Sequence, residues 1–186
     1  MSNLIESGSR KQSPELRLSN GATRVLINVL GLSGSKLAKS YNEKRMIVWL
    51  LEHDQSCCGD GTVGFSLSSM PWQETEFEKL KEFMISVIDY AKVKYGWNTL
   101  GYEPNEELLF PWLETLKQMF IFLESSDIDY DKVSSWNVAD DELQDDWDKF
   151  PIFYNYQMSR EDLRQFPKCN KHNMLLTVFG CQACNE

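Results

Sequence analysis

The sequence predicts a mainly α-helical domain with a short β segment and a small C-terminal β-hairpin. Apolar residues recur every three or four positions over residues 74–95, which is the spacing of one face of a helix. Ser40 followed by Glu43 has the pattern of a capping box at a helix N-terminus. The strand-forming run at residues 175–179, followed by Gly180, predicts the hairpin.

Length and composition are those of one globular domain. The chain has 186 residues, 42% hydrophobic and 12% aromatic, which is enough apolar material for a core and excludes a disordered chain. No apolar run reaches the roughly 18 residues that a membrane helix needs. The N-terminal residues contain no apolar stretch typical of a secretory signal. We therefore expect a cytoplasmic protein with no membrane partner.

Two helices are predicted in the first third of the chain. The first covers residues 20–32, with Ser19 or Asn20 as its cap, and the small residues at 31–35 break its pattern. The second begins after Ser40. Its apolar stripe is wide, which predicts a buried helix.

One short strand and two further helices follow. Apolar residues alternate with small ones over residues 63–67, which predicts the strand. The helix over residues 74–95 should end at Gly96. Another helix is predicted over residues 104–124, and Pro111 should divide it.

The C-terminal segment carries two closely spaced pairs of metal-ligand residues. Cys169 and His172 are separated by two residues, and so are Cys181 and Cys184. Two such knuckles supply the four nitrogen and sulfur ligands of tetrahedral zinc. One imidazole with three thiolates favours zinc over iron. Because the four ligands leave no open coordination position, we expect a structural rather than a catalytic zinc ion.

These observations predict three parts of the chain. Residues 1–14 should be a flexible tail, residues 15–166 the mainly helical domain, and residues 167–186 a zinc-knuckle appendage packed on that domain. The predicted fold class is thus mainly α, with a short β segment and a small zinc-bound β-hairpin. Five cysteines are an odd number for a disulfide framework, which agrees with a reducing compartment.

The negative charge of the protein is concentrated in one segment. Residues 124–148 contain ten acidic residues and one base, Lys132, so the segment carries the whole formal net charge of −9. Aromatic side chains set among carboxylates are typical of a surface that binds a basic protein. The alternative is a solvated acidic linker whose tryptophans pack into the core. The candidate partner-binding residues are Asp127, Asp129, Asp131, Trp136, Asp140, Asp141, Glu142, Asp145, Asp146 and Trp147.

Three other patterns resemble known binding sites, but the residues around them do not fit. Residues 59–64 match G-x-G-x-x-G, but a helix precedes them and a strand follows, which is the wrong order for a dinucleotide site. Residues 127–138 begin like a calcium loop but lack its glycine at the sixth position and its glutamate at the twelfth. The tryptophans could stack on bases, but the acidic surroundings repel phosphate, so we expect no direct nucleic-acid binding.

A possible thiol site lies near the glycine-rich turn. His53 with Cys57 or Cys58 could form a cysteine nucleophile. The alternatives are a second metal site, a partner-binding loop, or packed thiols beside a histidine whose cation is favoured at a helix end. No catalytic motif accompanies these residues, so we do not predict an enzyme.

Over residues 18–122 the order of several features resembles a family. They are Asn20-Gly-Ala22, the helix ending in Trp49 to Asp54, the turn Gly59 to Phe65, Met70-Pro-Trp72, Gly96-Trp97 and Tyr102-Glu-Pro104. Together with the C-terminal knuckle pair they resemble small acidic bacterial immunity proteins encoded beside polymorphic or contact-dependent toxins. The resemblance implies tight binding to a cognate toxin and brings no catalytic motif with it.

We therefore expect an immunity-type protein that neutralises a basic toxin, for example a nuclease, through its acidic, tryptophan-containing surface. A second hypothesis is a regulatory or assembly module whose zinc knuckle binds a partner, with Lys168 and Lys171 giving that end positive charge. A third is an enzyme centred on His53, Cys57 and Cys58.

Overall fold

The computed structural model describes residues 2–9, 12–55, 61–133, 165–177 and 179–184. Within these ranges the fold is mainly helical, as the sequence predicts, and it includes a small three-stranded sheet where the sequence predicted one short strand. In chain order the elements are β1 (Ser2–Glu6), β2 (Leu16–Ser19), α1 (Asn20–Leu37), α2 (Tyr41–Leu51), β3 (Asp54–Gln55), β4 (Gly61–Thr62), β5 (Phe65–Ser66), α3 (Phe77–Ala91) and α4 (Glu106–Phe122).

The N-terminal strand lies in the middle of the three-stranded sheet. β1 pairs antiparallel with β2 and parallel with β5, in the order β2-β1-β5. Ile5 of β1 is fully buried. The prediction of a flexible tail over residues 1–14 is therefore wrong for residues 2–6. Burial of Ile5 and two sets of interstrand hydrogen bonds offset the entropy cost of ordering this segment.

Helix α1 continues five residues beyond its predicted end. Gly31 and Gly34 face α2, where an added Cβ atom would lie 2.4 Å from Leu51 Cδ2 and 2.2 Å from Ile47 Cδ1, respectively. The small residues thus allow α1 and α2 to approach closely, and packing outweighs the low helix propensity of glycine. The hydroxyl of Ser33 bonds the Val29 carbonyl, within the helix.

The remaining helices follow the predicted order with two adjustments. Ser40 and Glu43 form the predicted capping box at the start of α2. Gly96 has φ 72°, but it does not directly follow the last residue of α3. It lies at the end of the turn that comes after this helix. α4 is one helix that passes through Pro111, capped by Asn105. Pro111 has no N–H to donate, so the carbonyl one turn before it lacks its usual helical hydrogen bond. Because Pro111 lies on the exposed side of α4, water can bond to that carbonyl instead.

The described C-terminal residues pack on α1 and belong to the same hydrophobic core as the helices. Met174 and Leu175 are fully buried within it. The backbone N–H of Leu175 donates to Ser35 Oγ at 2.9 Å, and Lys168 Nζ donates to the Ser35 carbonyl at 2.6 Å. Ser35 therefore joins the end of α1 to the C-terminal segment.

Among the residues that the structure describes, no helix has the length and apolarity needed to cross a membrane.

Candidate metal centre

The first ligand pair lies in a tight turn. Backbone N–H groups of His172 and Lys171 point at the sulfur of Cys169. The turn is closed by two backbone hydrogen bonds: Asn173 N to Cys169 O and Cys169 N to Met174 O, both 2.8 Å. Asn173 has φ 53°, a left-handed conformation that asparagine tolerates better than most residues. Local sequence thus brings Cys169 and His172 to one side of the turn.

The second ligand pair follows a hairpin-like turn. Thr177 and Gly180 exchange two backbone hydrogen bonds, of 3.0 and 2.9 Å, and Gly180 has φ 83°. Gln182–Cys184 then form one 3-10 turn, in which Cys184 N donates to Cys181 O at 3.1 Å. This turn places the two cysteines on the same side.

The four candidate ligands come together. Their ligand atoms all lie within 4.8 Å of one another, so Cys169, His172, Cys181 and Cys184 could hold a metal ion. His172 Nδ1 is 3.8 Å from the Cys169 sulfur, 3.5 Å from that of Cys181 and 3.3 Å from that of Cys184. The sulfurs of Cys169 and Cys184 are 3.6 Å apart. Within the described ranges no other group of three potential ligands converges in this way.

A backbone carbonyl orients the histidine ring. His172 Nε2 lies 2.9 Å from the carbonyl oxygen of Thr99, in the turn between α3 and α4. A carbonyl only accepts, so Nε2 carries the proton and Nδ1 presents its lone pair to the three sulfurs. Burial lowers the pKa of His172, although the Thr99 bond opposes this, and the ring is therefore neutral and able to bind a metal. Thr99 could not be predicted from the sequence, because any residue can supply a backbone carbonyl as acceptor.

The electrostatics of the cysteines favour a bound cation. Burial raises the pKa of Cys181, and the negative charge of Cys169 raises it further. Burial also raises the pKa of Cys184. Burial opposes ionisation of Cys169, but hydrogen bonds from His172 and Lys171 N–H groups outweigh it and lower its pKa. Three thiolates so close together repel one another, and a divalent cation removes that repulsion.

Only part of the predicted partner surface lies in the described ranges. Asp129 and Asp131 are exposed and Asp127 is half-buried. Two of them cap local turns: Asp127 Oδ2 accepts from Glu124 N, and Asp129 Oδ1 accepts from Lys132 N, both at 3.0 Å. The predicted residues that lie outside the described residues are Trp136, Asp140, Asp141, Glu142, Asp145, Asp146 and Trp147.

The structure brings further acidic residues to this region. Residues 74–79 and Ser125 line a groove of about 560 Å³. Burial raises the pKa of the neighbouring Tyr130, and the charges of Glu74 and Glu78 contribute to that rise. Of the acidic residues, Glu74, Glu76 and Glu78 line this groove, whereas Asp127 and Asp129 line a second cleft with Lys132. We use the name acidic face for the carboxylates of the two segments, residues 74–78 and 124–131. They are Glu74, Glu76, Glu78, Glu124, Asp127, Asp129 and Asp131.

The acidic face joins segments that are about fifty residues apart in sequence. The E-x-E-x-E spacing at Glu74, Glu76 and Glu78 is visible in the chain. Its position beside residues 124–131 follows from the packing of α3 against α4. Hydrogen bonding from Asn42, with the charge of Lys79, lowers the pKa of Glu76 and keeps it ionised.

His53 packs among aromatic rings instead of presenting a cation. Its ring centroid lies 4.2 Å from that of Trp49 and 5.1 Å from that of Phe65. Its Nδ1 lies 2.8 Å from the Trp49 carbonyl and donates to it. Burial lowers the pKa of His53, so the ring is neutral at pH 7, contrary to the expectation of a cation at the helix end. Cys57 and Cys58 lie outside the described residues.

Comparisons with protein-family models, with curated proteins and with solved structures give no significant match to this chain.

Proposed function

We propose that the metal ion is zinc and that it is structural. With Zn–S bonds of about 2.3 Å and a Zn–N bond of about 2.0 Å, a tetrahedral site has S···S edges of about 3.8 Å and S···N edges of about 3.5 Å. The distance of 3.6 Å between the Cys169 and Cys184 sulfurs and the S···N distances of 3.3–3.8 Å agree with this geometry. All four positions are then filled by the protein, which leaves none for a substrate.

The zinc ion would hold the C-terminal segment on the helical core as a zinc-bound hairpin. Its ligands lie on either side of Met174 and Leu175, which are fully buried. Through His172 the ion would also be connected to the Thr99 carbonyl in the turn before α4. A structural site of this kind contributes its binding free energy to folding.

The zinc proposal is tested by metal analysis of protein purified without added metal or chelator. We expect one zinc per chain by elemental mass spectrometry. Replacing Cys181 with Ser should abolish it, whereas replacing the other two cysteines of the chain, Cys57 and Cys58, with Ser should not. Iron in place of zinc, or no metal in the gently purified protein, would contradict the proposal.

We further propose that the protein is a cytoplasmic immunity-type inhibitor that binds a basic toxin, for example a nuclease, through the acidic face. The observation that carries this is the grouping of carboxylates from two distant segments: Glu74, Glu76 and Glu78 line a groove together with Ser125, and Asp127 and Asp129 line a second cleft. Two lysines of this region, Lys79 and Lys81, pair with Glu76 and Glu78. The resemblance to acidic immunity proteins supports the same proposed function.

The physical basis is electrostatic steering. A nuclease binds phosphates with lysines and arginines, and a surface of carboxylates attracts the same basic groups. Charge complementarity mainly accelerates association and fixes orientation. The rest of the acidic segment, with Trp136 and Trp147, would extend this surface and supply aromatic anchors. This role requires no catalysis by the protein itself.

The experiment has two stages. Native mass spectrometry of the protein isolated from its own cells identifies any companion, which should be basic and lose its toxic activity in the complex. Association kinetics are then measured at increasing salt for the wild type and for Asp127→Asn, Asp129→Asn and Asp131→Asn combined. We expect a steep fall of the on-rate with salt and an on-rate about tenfold lower in the triple variant.

A matched control removes the same charge elsewhere. Glu15, Glu103 and Glu107 are exposed and are not part of the acidic face, so their replacement by Gln should leave the on-rate nearly unchanged. An equal loss in both triple variants would show a nonspecific charge effect. Unchanged affinity in the Asp variant would contradict the assignment of this surface.

A further inference from the structure

One of the three clustered sulfurs is open to solvent. Cys184 is exposed, whereas Cys169 and Cys181 are buried, with relative exposures of 8% and 5%. Cys184 is the last residue of the 3-10 turn, whose other two residues, Gln182 and Ala183, are buried. A small oxidant in solution can therefore reach Cys184 before the other two cysteines.

The exposed sulfur has a second cysteine within reach. The Cys184 sulfur is 3.6 Å from the Cys169 sulfur, and a disulfide bond needs about 2.05 Å. Backbone N–H groups of the first knuckle hold the Cys169 sulfur, whereas Cys184 is the exposed member of the pair. An exposed thiolate beside a second, resolving thiolate is the arrangement of oxidation-sensitive cysteines.

We propose that Cys184 and Cys169 are an oxidation site at which a hydroperoxide forms a disulfide and releases the zinc ion; this rests on the proposed zinc site. Zinc keeps both sulfurs deprotonated. The Cys184 thiolate attacks the peroxide, the O–O bond breaks, and a sulfenic acid forms with release of hydroxide or alkoxide, which takes up a proton from solvent to give water or alcohol. The Cys169 thiolate then attacks the Cys184 sulfur and displaces hydroxide, which takes up a proton as water. Two thiolates are oxidised by two electrons, and the peroxide is reduced.

Loss of the two thiolates would release the metal. Only Cys181 and His172 remain as ligands, and two ligands hold zinc far more weakly than four. The knuckles would then no longer be joined, and the segment that carries Met174 and Leu175 would be held on α1 by its own contacts alone. A thiol reductant would restore the thiolates and allow zinc to bind again.

The test uses the full chain with its zinc content measured first. Protein carrying Cys57→Ser and Cys58→Ser, which removes the other thiols, is treated with hydrogen peroxide. Released zinc is followed with a metallochromic dye, and the disulfide is mapped by peptide mass spectrometry. We expect zinc release to run in parallel with a Cys169–Cys184 disulfide, and dithiothreitol with added zinc to reverse both.

Two matched variants separate this pairing from general oxidation. Cys184→His and Cys181→His each keep four ligands of types that zinc accepts. Cys184→His removes the exposed thiol, and its zinc release should be about tenfold slower. Cys181→His retains Cys184 and Cys169, and it should release zinc about as fast as the parent.

Each outcome has a separate meaning. A disulfide that involves Cys181 in the parent, or zinc release that is equally fast in Cys184→His, would overturn the proposal. A parent protein that carries no zinc before peroxide is added contradicts the zinc site itself. If either histidine variant carries no zinc, the disulfide mapping of the parent alone decides, since it needs no variant.

Discussion

The Nε2 atom of His172 donates a hydrogen bond to the carbonyl oxygen of Thr99 across 2.9 Å, which fixes the ring nitrogen that faces the three cysteine sulfurs. The bond links a ligand in the C-terminal segment to the turn between α3 and α4. The metal centre is thus tied to the helical core through one of its own ligands.

Replacing His172 with Cys should test this link. The variant keeps four ligands for zinc but loses the bond to Thr99, and partners of this kind are typically worth 10–100-fold in metal affinity. We therefore expect His172→Cys to bind one zinc with about 10–100-fold lower affinity, measured by competition with a chelating dye. Lys171→Ala, at the exposed neighbouring position, should bind like the wild type. Equal affinity of His172→Cys and the wild type would show that the bond has no effect on the metal.

Removal of zinc should lower the stability of the whole domain, because the C-terminal segment shares its core. Ligands that bind only the folded state stabilise it by about 4 kcal/mol at a thousandfold excess over their Kd. We expect chelation to lower the free energy of unfolding by at least this amount in urea titrations followed by tryptophan fluorescence. Protein with Cys181→Ser should be equally unstable with and without chelator. A wild-type midpoint that does not move on chelation would contradict a stabilising metal.

Gly34 should not tolerate a side chain, in spite of its position inside a helix. An added Cβ would lie 2.2 Å from Ile47 Cδ1 and 2.6 Å from Ile47 Cγ1. Overpacking of this kind costs about 1–3 kcal/mol, against a gain of about 1 kcal/mol in helix propensity. We expect Gly34→Ala to lower the melting temperature. Gly21 lies in the same helix with no atom within 4 Å of an added Cβ, so Gly21→Ala should raise it. The same response from both variants would contradict close packing of α1 on α2.

The N-terminal strand should contribute strongly to stability. Ile5 is fully buried at the centre of the sheet, and truncation of such a residue to Ala costs about 2–5 kcal/mol. Glu6 is exposed in the same strand, and Glu6→Ala should change the free energy of unfolding by no more than about 0.5 kcal/mol. Urea unfolding of both variants gives the comparison. If Ile5→Ala lowers the free energy of unfolding as little as Glu6→Ala does, residues 2–6 behave as a flexible tail and not as part of the core.

His53 should make the protein less stable in mild acid. Burial lowers its pKa below the ordinary value of 6.5, so at lower pH the unfolded chain binds a proton that the folded chain does not. Stability is therefore fully present above about pH 6.5 and decreases as the pH falls toward the folded pKa. The free energy of unfolding of His53→Gln should vary less between about pH 5 and pH 7. His172 is present in both proteins, so its contribution cancels in the difference. Equal slopes would contradict a buried, neutral His53.

Local signals in the sequence predict local features correctly. The capping box at Ser40 depends on two residues in one turn, and each ligand pair of the metal centre depends on a spacing of three positions. The features that the sequence did not predict depend on distant neighbours. α1 passes through Gly34 because α2 packs there. The contribution of Glu74 to the acidic face depends on α3 packing beside residues 124–131.

The N-terminal strand shows why short elements are difficult to predict from sequence. β1 has five residues and only Ile5 is buried, which is too little for a periodic pattern. Its partners come from both sides, β2 shortly after it and β5 much later in the chain. The role of the Thr99 carbonyl was not predicted for another reason: any residue at that position presents the same backbone acceptor.

The parallel pairing of β1 with β5 also bears on how the chain reaches its structure. Ile5 lies opposite Phe65, so 60 positions of chain must be enclosed before the two strands meet. α1 and α2 lie within that stretch and can form and pack on each other through contacts that are much nearer in sequence. Because the entropy of loop closure is lost before such a distant contact is gained, the sheet should be completed late, after the helical hairpin has shortened the distance between its strands. The rate of folding would then be set by the closure of this loop.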